Sequence, residues 1–400
     1  MTTSPSASLE MRRIDATALD ITPFVPRFVW TESLILGGFY WTMEFKAIQW
    51  KEWDDLMMGR EGRTVQFRFR SEEEGGAQST EWRTAVVDKS RAAFSQDISM
   101  IGNVKGADRA LLMAQVARTR VFKQRTAAEV LRIIATEHGL LPDIEDTRGV
   151  RDWFQVREDD WTFARRLARG LSTDSGRGDA YLWVDETTLR FGAPPMSELS
   201  ARRYDMNSVE SRVDGYAVAY HGREADRAGA ATLRGVGFNF RTKLPVTFTL
   251  DGGTAQTHPS LARRVPRAME DGLRVFPAIE QTAPRVEEVV RSRWGRHASR
   301  YLAMRVRTRP DLSLRPNVVV SMESNMGERR ETPFMGRYVV VEVQHVLTRG
   351  TLETNFVAYR REAQEGDAQP TGANADVAGT RDQFQVAGIN PTTIVVAQEI

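Results

Sequence analysis

Residues Thr126–Leu171 read TAAEVLRIIATEHGLLPDIEDTRGVRDWFQVREDDWTFARRLARGL. Thr126-Ala-Ala-Glu129 has the spacing of a capping box, in which a hydroxyl and a carboxylate each satisfy a backbone N–H left free at a helix start. Ala127, Val130, Leu131 and Ile134 follow at helical spacing and predict a buried stripe. Gly139 predicts the left-handed residue that ends the helix, and His138 beside it suits the negative helix end. A short strand around Gln155 comes next. Glu158-Asp159-Asp160 predicts a second helix start, where acids favour the positive end of the dipole. Trp161, Ala164, Leu167 and Ala168 form its inward stripe, and Arg165, Arg166 and Arg169 gather toward its C-terminal end. An α/β unit set between stretches of strand periodicity decides the fold.

Upstream the period is two. Phe39, Trp41, Met43 and Phe45 alternate with Tyr40, Thr42, Glu44 and Lys46, and Val65, Phe67 and Phe69 alternate with Gln66, Arg68 and Arg70. Residues 71–79 read as a hairpin loop, 81–94 as its returning strand, and Ala110–Val116 as a further apolar run in the same β region. Residues 26–120 therefore predict an antiparallel barrel or sandwich, preceded by a polar arm or edge segment over 1–25.

Downstream, Tyr181–Val184 and Thr188–Phe191 predict a hairpin across Asp185-Glu186. Strands are expected at 213–222, 236–243, 300–308, 317–323, 336–347 and 351–360, with turns at 314–317 and 348–350. A helix over 282–297 carries Val286, Val289, Val290 and Trp294 on one stripe. The last stretch, 363–400, holds five acids and one base; its first half reads as a linker, and Thr392–Val396 has strand character suited to pairing with the sheet edge of another chain.

The composition narrows the chemistry. A net charge of +2 argues against a global field for nucleic acid, and the absence of cysteine removes disulfides, thiolate zinc sites and thiol nucleophiles. No apolar run nears the ~18 residues of a membrane span, and the N-terminus has no apolar core of a secretory signal, which predicts a protein soluble when made in the cytoplasm. The five histidines, at 138, 221, 258, 297 and 345, lack HExxH spacing, and His345 falls within a strand pattern as a hydrogen-bonded sheet residue. G-x-S-x-G, P-loop and dinucleotide fingerprints are missing. Glu158, Asp159 and Asp160 could serve a glycosidase, but helix capping explains them. The basic run Arg118, Arg120, Lys123, Arg125 reads as a solvated face, with a DNA-meeting lining as the alternative. Arg177-Gly-Asp179 is a chance triplet of a Gly/Asp loop. No catalytic, cofactor or metal residue is expected.

Two stretches carry a resemblance. TAAEVLRIIATEHGL with FQVREDDWTFARRLARG resembles the insert of the phage late control protein D family, the baseplate hub proteins of contractile tails and the hub portion of type VI secretion spike proteins. The matching positions are His138-Gly139, Gln155, Asp159-Asp160-Trp161, Phe163 and Arg166-Leu167-Ala168. MGRYVVVEVQHVL with LETNFVAYR resembles the family's last hairpin at Gly336, Tyr338, Val341, His345, Thr354 and Arg360. Pro316-Asn317 stands where the family has Pro-Gly, and asparagine tolerates the left-handed conformation that turn requires.

The resemblance implies an α+β, mainly β fold: two antiparallel β-barrel domains that form rings, with an α/β insert between them and a smaller helical insertion in the second. The implied divisions are an arm at 1–25, a first barrel at 26–120, the insert at 121–205, a second barrel from 206–250 plus 300–362, the helical insertion at 251–299 and an acidic tail at 363–400. It also implies a homotrimer whose pseudo-sixfold ring joins a sixfold tail tube, or its initiator proteins, to a threefold central spike among other baseplate proteins, with DNA only in passage through the channel. Spike proteins of the type VI branch continue into an OB-like domain and a β-helix; this sequence has no such repeats, so a separate hub subunit of a virion baseplate is expected. Thr126, Glu129, His138, Gly139, Gln155, Asp160, Trp161, Phe163, Arg166, Leu167, Gly336, Tyr338, His345 and Arg360 are the expected structural motif residues. The alternatives are the hub of a non-contractile tail or of a phage-derived injection system, and a tail-associated peptidoglycan hydrolase.

Overall fold

Alternating aromatic and polar side chains build the first strands of the computed structural model, which describes residues 6–13, 18–47, 64–73, 76–94, 100–169, 171, 180–194, 202–206, 213–220, 233–239, 242–250, 274–277, 285–287, 289–290, 302–323 and 336–360. The chain is mainly β. Its first strands are β1 (Ser6–Arg13), β2 (Arg27–Ser33), β3 (Gly38–Ala47), β4 (Thr64–Glu73), β5 (Arg83–Phe94) and β6 (Met100–Ala107). Phe39, Trp41, Met43, Phe45, Val65, Phe67 and Phe69 all point into one aromatic core, where Phe28 stacks on Trp41 and Trp30 on Phe69. β1 belongs to this layer. It pairs with β4 from Ser6↔Glu72 to Arg13↔Val65 and buries Ala7, Leu9 and Met11, so 6–13 is a sheet strand rather than part of an arm.

The insert follows. Helix α1 (Ala110–Met113) replaces the expected continuation of the β region, because the Asp108 carboxylate accepts from the Ala110 N–H and starts a helical turn there. Strand β7 (Ala117–Arg125), helix α2 (Ala127–Glu137), strands β8 (Leu141–Ile144) and β9 (Arg151–Asp159), helix α3 (Asp160–Arg169) and the hairpin β10 (Tyr181–Asp185) and β11 (Thr188–Gly192) complete it. The Thr126–Glu129 capping box is formed in both directions, and Gly139 has φ +65°. β7 pairs with β9, while β8 lies parallel to β11 beside β10. The buried faces of α2 and α3 meet the inward side of these strands in one core that Ala110 and Met113 join.

The remaining strands are β12 (Arg202–Asp205), β13 (Val213–Tyr220), β14 (Leu233–Asn239), β15 (Leu244–Leu250), β16 (Arg274–Pro277), β17 (Leu302–Thr308), β18 (Val319–Glu323), β19 (Gly336–Thr348) and β20 (Thr351–Arg360). One sheet of 14 strands runs β12-β18-β19-β2-β3-β6-β5-β4-β1-β20-β17-β13, with two short strands at its side. Two antiparallel β-barrels were expected; among the described residues the strands of both regions lie in this one sheet, joined by the β19–β20 hairpin, without a closed barrel. Near its turn β19 pairs with β2, from Glu342↔Ser33 to Thr348↔Arg27, and Leu347 and Leu352 enter the aromatic core. At its open end β19 pairs with β18 and β20 with β17, and Tyr338, Val340, Phe356 and Ala358 enter a second core.

Three further expectations are revised. β12 pairs in parallel with β18, which puts 202–205 in the large sheet rather than in the insert. β14 and β15 form a separate sheet with β16, outside the large sheet, and β14 ends at Asn239 before the turn in which Lys243 has φ +58°. Of the expected 282–297 helix, 285–287 and 289–290 are helical, and Val286 and Val290 pack so closely on Gly235 that a Cβ there would lie 2.4 Å from Val286. Asn317 has φ +69°, as its turn requires, and Arg349 and Gly350, at φ +49° and +81°, turn the last hairpin. His221, His258, His297, Trp294, 177–179 and 363–400 lie outside the described residues.

Candidate functional site

Three adjacent acids at the start of α3 have three different roles. Asp159 caps the helix, accepting from the Thr162 N–H at 2.7 Å and its hydroxyl at 2.8 Å. Glu158 takes Arg166 at 2.5 Å. Asp160, expected as a cap, turns inward and is 1% exposed. Its Oδ1 accepts from Arg120 at 2.7 Å and from Gln155 at 2.8 Å, and its Oδ2 lies 2.8 Å from His138 and 3.3 Å from Arg118. Burial alone would raise its pKa; the hydrogen bonds from His138 and Gln155 and the charges of Arg120 and Arg118 hold it below the ordinary carboxylate value.

The basic run is therefore not a uniform solvated face. Arg118 and Arg120 also reach Glu137, at 2.9 and 2.6 Å, and Arg120 donates to the Gln155 side-chain Oε1 at 2.8 Å. Phe163 stacks on Phe122 at 5.8 Å, Arg166 also donates to the Phe154 carbonyl, and Leu167 is buried. Trp161 covers Gly37, whose φ is +85°. These side chains lock α2, α3 and the β7–β9 ribbon together.

The closing hairpin carries the second group. Gly336 opens it at φ +133°, Tyr338 is buried, and the Arg360 guanidinium lies 5.9 Å from the Tyr338 ring centre. His345 is fully buried against Trp30, with ring centres 4.9 Å apart. The Thr354 hydroxyl accepts from the Asp311 N–H at 3.0 Å and lies 3.0 Å from His345 Nδ1. Burial, reinforced by the positive charge of Arg315, pushes the His345 pKa down to about 3. Asp311 anchors the same corner through Arg202 at 2.9 Å and the Tyr204 hydroxyl at 2.8 Å.

A third group lies where both β regions meet the insert. Glu32 of β2, Arg83 of β5, Asp185 at the end of β10, Glu186 of the β10–β11 turn, and Arg315 before β18 converge around a cavity of about 330 Å³. Arg83 is 2.5 Å from Glu186 and 3.7 Å from Glu32, and Arg315 is 3.6 Å from Glu32. Both guanidinium groups lie over the Trp30 ring. Burial raises the Glu32 pKa against the pull of Arg315 and Arg83. Asp108 beneath it is pushed up to about 7, by burial first and then by Glu186 and Glu32, against hydrogen bonds from the Phe39 and Ala110 N–H groups. Asp185, Glu186 and Arg315 were read from sequence only as turn residues, and Glu32, Arg83 and Asp108 were not singled out. The available signal was Glu32 sharing the inward face of β2 with Phe28 and Trp30, since a charge on an apolar face needs a partner.

Among the described residues, no three His, Asp or Glu side chains gather at metal-binding spacing. No helix among them is long and apolar enough to cross a membrane.

No family model matches the sequence, and no curated protein matches it. Solved structures do. A tail protein from Neisseria meningitidis MC58 is similar over 91% of this chain and 98% of its own, with a TM-score of 0.60 at 10% identity. The 43 kDa tail protein of prophage MuSo2 from Shewanella oneidensis is similar over 90% of this chain and all of its own, with a TM-score of 0.60 at 11% identity. An E. coli component of the type VI secretion system, described as structurally similar to the T4 tail proteins gp27 and gp5, is similar over 89% of this chain and 78% of its own, with a TM-score of 0.51 at 12% identity. The fold of this chain is that of phage tail proteins and a type VI secretion component.

Proposed function

We propose that this chain is a structural baseplate hub of a phage-type contractile tail, acting by shape and without catalysis. The observation that carries the reading is the similarity to two phage tail proteins along nearly their whole lengths. The architecture supports it, since two β regions share one hairpin and an insert braces them at a charged junction. In this reading each β region is a barrel-like unit, and three copies of the pair close a pseudo-sixfold ring. The ring joins the tail tube, or its initiator proteins, to the central spike within the virion baseplate, contacts other baseplate proteins and leaves a channel for DNA passage. The motif residues from Thr126 to Leu167 and from Gly336 to Arg360 are structural in this role.

Light scattering of the purified chain, alone and with its spike and tube partners, tests the ring. A trimer in either condition is expected; a monomer in both would overturn it. A hub of a non-contractile tail or of a phage-derived injection system is the second reading, favoured by the likeness to a type VI secretion component. It is separated by whether the bound tube carries a sheath. A peptidoglycan hydrolase is disfavoured because Glu158 is engaged by Arg166. Cell-wall hydrolysis abolished by Glu158→Gln would restore it.

A further inference from the structure

We infer that the outer face of the β7–β9 ribbon is the seat of the chain's own C-terminal segment, with Thr392–Val396 lying across it. Among the described residues, β7 and β9 pair only with each other. Their inner side chains, Phe122, Trp153 and Gln155, join the core of the insert and the Asp160 cluster. Alternation then sends Val121, Phe154 and Val156 outward. Val121 stands directly opposite Phe154, and the three are 47%, 57% and 63% exposed. Single exposed apolar side chains are ordinary. Three adjoining ones on a two-stranded ribbon make a patch that a further segment would cover.

The rim of the patch is basic. Lys123 lies two positions from Val121 on the same face. Arg157 follows Val156 at a bulge, where its φ is +49° and its N–H donates to the Thr119 hydroxyl at 3.2 Å. Both side chains are exposed, and among the described residues neither forms an ion pair. The acid on this face, Asp152, already accepts from the Gln124 N–H and side-chain amide, at 2.8 and 3.2 Å. The face therefore suits an extended occupant that is apolar along one side and acidic at its flanks.

Residues 363–400 have that character, with five acids against one base. In an extended Thr392–Val396, Ile394 and Val396 share one side, and Asp382 and Glu399 lie on either flank. The roughly 30 residues between Arg360 and Thr392 can span about 100 Å, more than the width of a folded chain of this length, whose radius of gyration is roughly 21 Å. The segment can thus reach the ribbon of its own chain.

The chain has no cysteine, so a pair of introduced ones reports the contact without background. In the full chain, Val156→Cys with Ile394→Cys under mild oxidation should give a disulfide within one chain, read on a non-reducing gel and by peptide mass. Ile101→Cys with Ile394→Cys, at an exposed position of β6, is the control and should stay largely reduced. Adding Lys123→Glu and Arg157→Glu should lower the yield at the ribbon about fivefold, the size expected of two exposed ion pairs, and Phe154→Ser should lower it too. A ribbon disulfide no more abundant than the control overturns the inference, as does a yield that neither change lowers. A disulfide found only between chains also overturns it and gives the ribbon to a second copy. If the cysteine pair does not fold, trypsin cleavage after Arg381 of the cysteine-free chain replaces it: Lys123→Glu with Arg157→Glu should speed that cleavage about fivefold, and an unchanged rate overturns the inference. Failure here leaves the hub reading standing, since neither rests on the other.

Discussion

His138 Nε2 and Asp160 Oδ2 lie 2.8 Å apart, which ties the last turn of one helix to the first turn of the next. The histidine at the negative end of α2 meets an acid at the positive end of α3, so each helix end gains a partner suited to its dipole.

Asp160→Asn leaves Arg120, Arg118 and His138 facing a neutral amide in a buried place. A loss of about 3 kcal/mol in unfolding free energy is expected at pH 7, against about 1 kcal/mol for Asp159→Ala, which removes only a cap. The pH dependence has a defined sign. The pKa of Asp160 is lowered in the fold, so its contribution is present above the unfolded value near 4 and is lost as pH falls through the native value. Urea unfolding of both variants should therefore show the gap between wild type and Asp160→Asn narrowing below about pH 4. An unchanged gap there would sink this account.

His345 titrates near 6.5 in the unfolded chain and at about 3 in the fold. Between those values the unfolded state holds the extra proton, so stability falls as pH is lowered from 6.5 toward 3, by up to about 1.4 kcal/mol per unit. His345→Gln keeps a polar partner for the Thr354 hydroxyl and carries no titrating group. Its stability should be flatter than that of wild type across this window, which urea midpoints at half-unit pH steps can measure.

Asp108 runs the other way. Its native pKa of about 7 exceeds the unfolded value, so the fold holds the extra proton and stability declines as pH rises from about 4 to 7. Asp108→Asn should remove that decline and leave the variant nearer to wild type at pH 8 than at pH 5. At the lower pH it forfeits one acceptor for the Phe39 and Ala110 N–H groups without relieving a charge. A wild-type and variant difference independent of pH would show that the carboxyl is not the group concerned.

Gly37 is placed where no side chain fits. Its φ is +85°, and a Cβ would lie 2.8 Å from Trp161 and 2.9 Å from the Leu182 carbonyl oxygen. Gly37→Ala is expected to cost about 2 kcal/mol through strain and overpacking, with a change in indole emission as Trp161 is displaced. Unaltered thermal unfolding would mean that the insert yields at this contact.

Local chemistry was legible wherever neighbours in sequence are neighbours in space. The alternation of Phe39–Phe45 and Val65–Phe69, the Thr126–Glu129 box, Gly139 and Asn317 each name their own backbone state. The helix at Ala110–Met113 was not legible, because one turn is too short to display a period and its trigger is the Asp108 side chain. β1 shows Ala7, Leu9 and Met11 at alternate positions, but the small and polar residues among them concealed the strand. Asp160 was read as a cap because its partners are 5 to 40 positions away in sequence. The junction group escaped for the same reason more strongly. Glu32 and Arg315 carry no shared pattern, and the β19–β20 hairpin brings their segments together.

That hairpin also sets an order on biosynthesis. β2 finds one of its two neighbours in residues 342–348, which leave the ribosome some three hundred residues after it does. Until then the inner edge of β2 faces its surroundings with unpaired N–H and C=O groups, a template for any passing strand. The N-terminal layer thus stays unfinished until the last hairpin is made, and a stop codon anywhere before that hairpin leaves both β regions open. Chains truncated before the last hairpin should be recovered as aggregates.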